Sequence, residues 1–317
     1  MAGPAERTGN DVPDQLSTSG LYGLPPGDLV EAPSDAIQFS PLKPGSADLA
    51  GIEPGSLSEM VVLAPPGTLE RRRILALALR ALTVGGRLTA LAPKAKGGQR
   101  LAPELTEFGC GIGETSRRHH RIVETLRPAS PVGLDAAIAA GDLRLDPDLG
   151  LWTQPGAFAF DRVDPGSALL LEHLPKLSGR GADLGCGIGI LSRAVLRHPE
   201  VTALHGVDID RRALAAARRN VEDARATFLW ADALGPEAVP AGLDFVVMNP
   251  PFHEDGVENR ALGQGFIARA HAALRPGGFL HMTANRHLPY EAVLSGLFKT
   301  VAMRAEGGGY KIFEARR

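Results

Sequence analysis

The stretch Gly181-Ala-Asp-Leu-Gly-Cys-Gly-Ile-Gly189 decides the fold. Residues 181–184 read as a buried strand. Gly185, Gly187 and Gly189 then permit a tight turn and a close backbone approach to a nucleotide-like ligand. A helix begins at 191–197. Outward from this point the alternation continues, with strands expected at 203–207, 226–230, 243–248, 278–283 and 309–315 and helices at 211–221 and 261–274. Such alternation predicts an α/β fold with a doubly wound sheet.

The first half carries a fainter copy of this pattern. Val61-Val-Leu-Ala-Pro-Pro66 aligns with Val246-Val-Met-Asn-Pro-Pro251, Val84-Gly-Gly-Arg-Leu88 with Pro276-Gly-Gly-Phe-Leu280, and His120-Arg-Ile-Val-Glu124 with Tyr310-Lys-Ile-Phe-Glu314. Three matches in one order point to duplication of a single fold. Asn249 becomes Ala64 in the first copy, which removes its polar chemistry. The expected organisation is a disordered polar segment at 1–18, a degenerate domain at 19–149 and a catalytic domain at 150–317. A second Gly-Cys-Gly-Ile-Gly, at 109–113, follows the helical sequence LAPELTEF and no acid-terminated strand comes after it, so it reads as a turn.

Composition agrees with two domains in 317 residues. The net charge of −2 argues against a strongly basic nucleic-acid binder, but the sum conceals an uneven distribution. Residues 1–59 hold nine acids and two bases, whereas 60–150 hold nine acids and thirteen bases. Two cysteines exclude a disulfide framework, and no Cys/His spacing supports a metal site. No apolar run reaches the ~18 residues that a membrane span needs. The N-terminal residues lack an apolar signal core, so a cytoplasmic protein is expected.

Asp183 lies two residues before the first glycine, in a G-x-G-x-G spacing and not the dinucleotide G-x-G-x-x-G. This form resembles the first motif of class I S-adenosylmethionine-dependent methyltransferases. Asp208 ends the second strand, where a carboxylate accepts from both ribose hydroxyls. Asp232 ends the third, placed to accept from an adenine amino group. Asp210 reads as the N-cap of the helix that follows.

Asn249-Pro250-Pro251-Phe252 follows the fourth strand, at the carboxyl edge where open α/β sheets bind ligands. The exocyclic amine of a base is a poor nucleophile because its lone pair is delocalised into the ring. An Asn249 side-chain oxygen and a Pro250 carbonyl that accept its two N–H bonds favour a pyramidal nitrogen, with the lone pair aimed at a sulfonium methyl. Phe252 is placed to stack on the base. Catalysis on this reading is positioning and polarisation.

From Trp152 to Arg317 the chain resembles the bacterial ribosomal RNA guanine-N2 methyltransferases of the RsmC/RlmG type. The resemblance rests on Gln154-Pro-Gly-Ala-Phe158, Asp164-Pro-Gly-Ser167, the glycine loop, Asn249-Pro-Pro-Phe-His253, Leu288-Pro-Tyr290 and Tyr310-Lys311. It implies two tandem Rossmann-like methyltransferase domains, the first degenerate and without cofactor binding. It also implies S-adenosylmethionine as cofactor and methyl transfer to the 2-amino group of a guanine in ribosomal RNA, more often that of the small subunit. Asp232 stands where an Asn occurs in such proteins, and either accepts from an amino group.

The partner is then ribosomal RNA or the small ribosomal subunit, met by a monomer. Arg71, Arg72 and Arg73, with Arg117, Arg118 and Arg121, are the densest basic clusters and the candidate phosphate contacts. Other readings are a methyltransferase for DNA adenine N6 or protein glutamine, and a non-catalytic RNA-binding module. A nicotinamide oxidoreductase is disfavoured by the glycine spacing.

Overall fold

The structure is a computed structural model and describes residues 18–251, 253–254, 257–258 and 260–317. The 1–18 segment expected to be disordered falls, but for its last residue, outside the described residues, as does Phe252.

The first half folds around a six-stranded sheet. Its elements in chain order are β1 (Ser19–Tyr22), β2 (Ile37–Phe39), β3 (Leu57–Leu63), α1 (Thr68–Ala81), β4 (Leu82–Pro93), α2 (Leu101–Glu107), β5 (Gly113–Arg117) and β6 (His120–Leu126). The strand order is β2-β1-β3-β4-β6-β5. The first four run parallel, and β6 and β5 are antiparallel additions. Met60, Val61 and Val62 are all buried because both sheet faces are covered, which is why the second half of β3 reads as a continuous apolar run. The Leu/Ala run of α1 covers one face, and Leu29 covers Val61 and Leu91 on the other.

A helix, α3 (Leu134–Ala140), and a short hairpin of β7 (Arg144–Asp146) and β8 (Leu151–Thr153) connect the halves. The hairpin turns at 147–150, where the domain boundary was expected. The second half continues with α4 (Pro165–His173), β9 (Gly179–Leu184), α5 (Ile190–Val195), β10 (Val201–Asp208), α6 (Arg211–Asn220), β11 (Ala226–Trp230) and β12 (Leu243–Met248). A small hairpin of β13 (His253–Glu254) and β14 (Val257–Glu258) precedes α7 (Arg260–Ala273), β15 (Leu274–Asn285), α8 (Glu291–Leu297), β16 (Thr300–Gly307) and β17 (Tyr310–Arg316). The seven-stranded order is β11-β10-β9-β12-β15-β17-β16.

The duplication read from the sequence is visible in this topology. Removing β11 leaves β10-β9-β12-β15-β17-β16, which matches β2-β1-β3-β4-β6-β5 strand for strand. In both copies the last pair is an antiparallel hairpin in which the later strand lies inside the earlier one. The pairing registers agree as well, since His120 opposite Pro93 corresponds to Tyr310 opposite Asn285.

Some segments were not legible. The Gly/Pro-punctuated pieces before residue 57 supply β1 and β2, parallel strands too short to show a period. Residues 128–150, which looked sparse, hold α3 and β7. The two halves meet through polar contacts. The Arg211 amide donates to the Pro41 carbonyl at 2.9 Å, the Gln154 side chain donates to the Gly141 carbonyl at 3.2 Å, and Arg212 pairs with Glu70.

Candidate functional site

The loops after β9, β10 and β12 leave the same carboxyl edge of the second sheet, because these three strands are parallel neighbours. Gly185, Gly187 and Gly189 have φ of +71°, +54° and +86°, a region that L side chains rarely adopt. At Gly189 a Cβ would crowd Val221 and Ala217, so this glycine also lets α5 start hard against α6.

The three sequence-selected acids stand in different states. Asp183 is wholly buried, and one carboxylate oxygen accepts from the Ser192 hydroxyl at 2.6 Å. The other has no hydrogen bond among the described residues. Burial pushes its carboxyl up to about 7. Asp208 accepts from the Gly187 amide at 2.7 Å with one oxygen and from the Asp210 amide at 2.8 Å with the other. Burial raises it to about 6, against the pull of those amides. Each oxygen retains a lone pair for a further donor. Asp232 stands exposed two residues beyond β11 and accepts from the Leu234 amide at 2.9 Å. Asp210 caps α6, as expected, by accepting from the Arg212 amide.

Asn249 follows β12 directly. Its side-chain nitrogen donates to Asp164 Oδ2 at 2.8 Å and to Ser167 Oγ at 2.9 Å. A carboxylate only accepts, so this contact fixes which end of the amide is nitrogen. The Asn249 oxygen is thereby left on the opposite side as an acceptor. Asp164 is itself held as the N-cap of α4, where Oδ2 also accepts from the Ser167 amide at 2.9 Å. Tyr310, at the start of β17, stands near Asp164 and packs its ring so close to Gly166 that no Cβ would fit. Burial and the Asp164 charge push the Tyr310 hydroxyl above its ordinary value. Asp164, Ser167 and Tyr310 thus support the selected asparagine, a role that sequence reasoning missed. Their signal was present, because Asp164-Pro-Gly-Ser167 and Tyr310-Lys311 stood out as segments without an assigned task.

Asp164, Ser167, Asn249 and the glycine loop line one cleft together with Phe158 and Ala159. Asp183 lies behind it, in the core. Phe252 falls outside the described residues.

The basic clusters fare differently. Arg71 is 1% exposed and makes a two-point pair with buried Glu104, at 2.8 and 2.7 Å, while also donating to the Pro66 carbonyl at 2.7 Å. It ties α1 to α2 and cannot touch a phosphate. Arg72 pairs with Glu107 at 2.5 Å and lies over the Phe108 ring, and Arg73 pairs with Asp142 at 3.1 Å. The 71–73 run is therefore corrected from a basic surface to a set of tertiary ties. Arg71 shares a helix face with Ile74, Leu75 and Ala78, the spacing that should have marked it as inward. Arg117 and Arg118 remain exposed at the β5–β6 turn, and Arg121 is partly exposed on β6. Arg118 pairs with Asp28, and Arg121 with Glu114 at 3.3 Å.

Among the described residues there is no group of three potential metal ligands, and no helix is long and apolar enough to cross a membrane.

Comparison with known proteins adds a family frame. Residues 148–314 match the family model described as methyltransferase small domain. The chain is 31% identical over 316 residues to the ribosomal RNA small subunit methyltransferase C of Pseudomonas syringae pv. syringae (strain B728a), covering 94% of each. It is 32% identical over 250 residues to the protein of the same name from Shewanella loihica, covering 77% of this chain and 72% of the relative. Its structure is similar to that of the T. thermophilus 16S rRNA N2 G1207 methyltransferase in complex with AdoMet and guanosine. That match has a TM-score of 0.77 and 25% identity, and covers 96% of this chain and 89% of the other.

Proposed function

This chain belongs to the methyltransferase small domain family and to the ribosomal RNA small subunit methyltransferase C family, and from that premise we propose that it methylates the 2-amino group of a guanine in small-subunit ribosomal RNA, with S-adenosylmethionine as donor. The observation that carries the reading is the fixed amide of Asn249. Both of its N–H groups are spent on Asp164 and Ser167, so its oxygen is committed to accepting.

The residues fit the cofactor. Asp208 keeps acceptor capacity for a ribose diol, Asp232 stands exposed as an acceptor, and Asp183 has an orphaned carboxylate oxygen behind the glycine loop, suited to an ammonium donor. Gly185, Gly187 and Gly189 keep three of the loop's five positions free of side chains. When bound, S-adenosylmethionine supplies an electrophilic methyl group. Asn249 and the Pro250 carbonyl accept the two N–H bonds of the guanine amine and raise the availability of its lone pair. Asp164 holds Asn249 in the accepting orientation, and the Tyr310 ring packs on Gly166 beside Asp164. Phe252 adds a face for the base. No side chain has to remove a proton before transfer, because the methylated amine loses its proton afterwards to water.

The first domain holds RNA on this reading. Its Arg117–His120 turn lies at the carboxyl end of β4, and the equivalent turn of the second copy joins β16 to Tyr310 beside the catalytic asparagine. Arg117, Arg118 and Arg121 thus sit at the edge that corresponds to the reacting one. Their contacts are to phosphate and position the RNA without reading its sequence.

Transfer of labelled methyl from S-adenosylmethionine to small ribosomal subunits or their RNA, to duplex DNA and to a glutamine-bearing release factor tests the acceptor class. Label in the RNA alone is expected. Label in DNA or protein alone would replace this reading.

A further inference from the structure

Resting on that reading, we propose that Phe158 is a stacking face for the target base, and that the first copy of the fold aims it from across the domain interface through Glu70 and Arg212.

Phe158 is 63% exposed yet lines the cleft that contains Asn249, Asp164 and the glycine loop. A single exposed aromatic is ordinary on a protein surface. This one is different because its loop is tied down on both sides of the ring. Thr153 Oγ1 donates to the Phe160 carbonyl at 2.8 Å, and the Ala157 amide donates to the Gln154 carbonyl at 3.0 Å. Gln154 reaches the first domain at the Gly141 carbonyl. Ala159, next to the phenylalanine, has φ of +49°, a strained conformation for a residue with a Cβ that persists only where its surroundings enforce it.

The strongest of these constraints is a single guanidinium. Arg212 donates to the Gly156 carbonyl at 3.1 Å, to both carboxylate oxygens of Asp210 at 2.9 Å, and to Glu70 on α1 of the first copy. The Arg212 and Glu70 side chains are only 12% and 13% exposed. Gly156 has φ of +100°, and a Cβ there would collide with both of them. A buried arginine with these partners cannot move without stranding two carboxylates. One side of the clamp therefore holds the loop that ends in Phe158. The other holds Asp210, whose amide donates to Asp208. A base whose amine reaches Asn249 presents a π face to the same cleft. A preset aromatic ring captures it without first ordering a loop.

The test is steady-state methyl transfer to small-subunit RNA, with S-adenosylhomocysteine affinity measured in parallel. Phe158→Ala is expected to raise the KM for RNA roughly 5- to 100-fold and leave cofactor-product affinity within about twofold. Phe158→Trp is expected to retain near-normal KM. Glu70→Gln is expected to raise the same KM severalfold, and to add little in a Phe158→Ala background because both changes act through one ring. Normal RNA kinetics for Phe158→Ala would overturn the proposal, as would a loss confined to S-adenosylhomocysteine affinity. Equal effects of Glu70→Gln in both backgrounds would reduce Glu70 to a stabilising tie and remove the aiming role. Wild-type protein that methylates no RNA would overturn the functional reading and this inference with it. An active wild type with an indifferent Phe158→Ala overturns this inference alone.

Discussion

The pentapeptide Gly-Cys-Gly-Ile-Gly occurs twice, at 109–113 and at 185–189, and the two copies fold differently. At 185–189 it leaves a buried strand whose last residues include Asp183, all three glycines take positive φ, and a helix follows. At 109–113 it leaves a helix, only Gly109 has positive φ (+89°), and an exposed strand follows. Both cysteines are buried, so the core accepts the sequence in either setting. What separates a cofactor loop from a connecting turn is the element before it, the element after it and the acid that the strand carries.

The two sheets repeat the lesson on a larger scale. They share a strand order and a closing hairpin, but β3 is followed by Ala64, whose backbone amide simply donates onward to the Leu91 carbonyl. The matching position in the second copy is Asn249, held by Asp164 and Ser167.

The sharpest attack on this contrast is Asn249→Ala, which gives the second copy the residue of the first. Methyl transfer is expected to fall roughly 10³-fold or more in kcat while S-adenosylhomocysteine still binds, as read by single-turnover kinetics and calorimetry. Asp164→Leu removes the group that orients the amide and leaves the asparagine in place. A kcat loss of roughly 10²-fold is expected, with Asp164→Asn retaining part of the rate because its oxygen still accepts. Gly187→Ala and Gly111→Ala then compare the pentapeptides directly. The first forces a side chain into φ of +54°, beside Asp208, and is expected to weaken cofactor binding about tenfold. The second meets open space at an ordinary φ and should leave binding unchanged.

A smaller effect follows from pH. Asp183 and Asp208, raised to about 7 and about 6, lie above the ordinary carboxylate value. Their burial therefore favours the folded, cofactor-free protein at low pH, and that contribution is lost as pH rises through 6 to 7. Donors on the cofactor favour the ionised carboxylates, so binding runs the opposite way. Affinity for S-adenosylhomocysteine should drop on the order of tenfold from pH 7.5 to 5.5, and its stabilising shift of Tm should shrink accordingly.

Much of this molecule is readable from sequence because its deciding signals are local. The apolar runs at 60–63 in β3 and 245–248 in β12, the glycine loop and the Asn-Pro-Pro turn each lie within ten residues, and the duplication is a comparison of such pieces. What escaped was long-range. Asp164 meets Asn249 across 85 positions, and Arg71 meets Glu104 across 33, so neither the support of the asparagine nor the burial of an apparent basic patch could be read from spacing. Arg212 was overlooked because its partners come from α1, the 154–160 loop and its own helix start.

The central claim is that the second copy alone performs the chemistry, on a guanine amine. Nucleoside mass spectrometry of small-subunit RNA incubated with the protein and S-adenosylmethionine tests it most directly. The account predicts N2-methylguanosine with the wild-type chain and its near-disappearance with Asn249→Ala. Methyl groups found on adenine N6, or N2-methylguanosine undiminished in the Asn249→Ala variant, would contradict it.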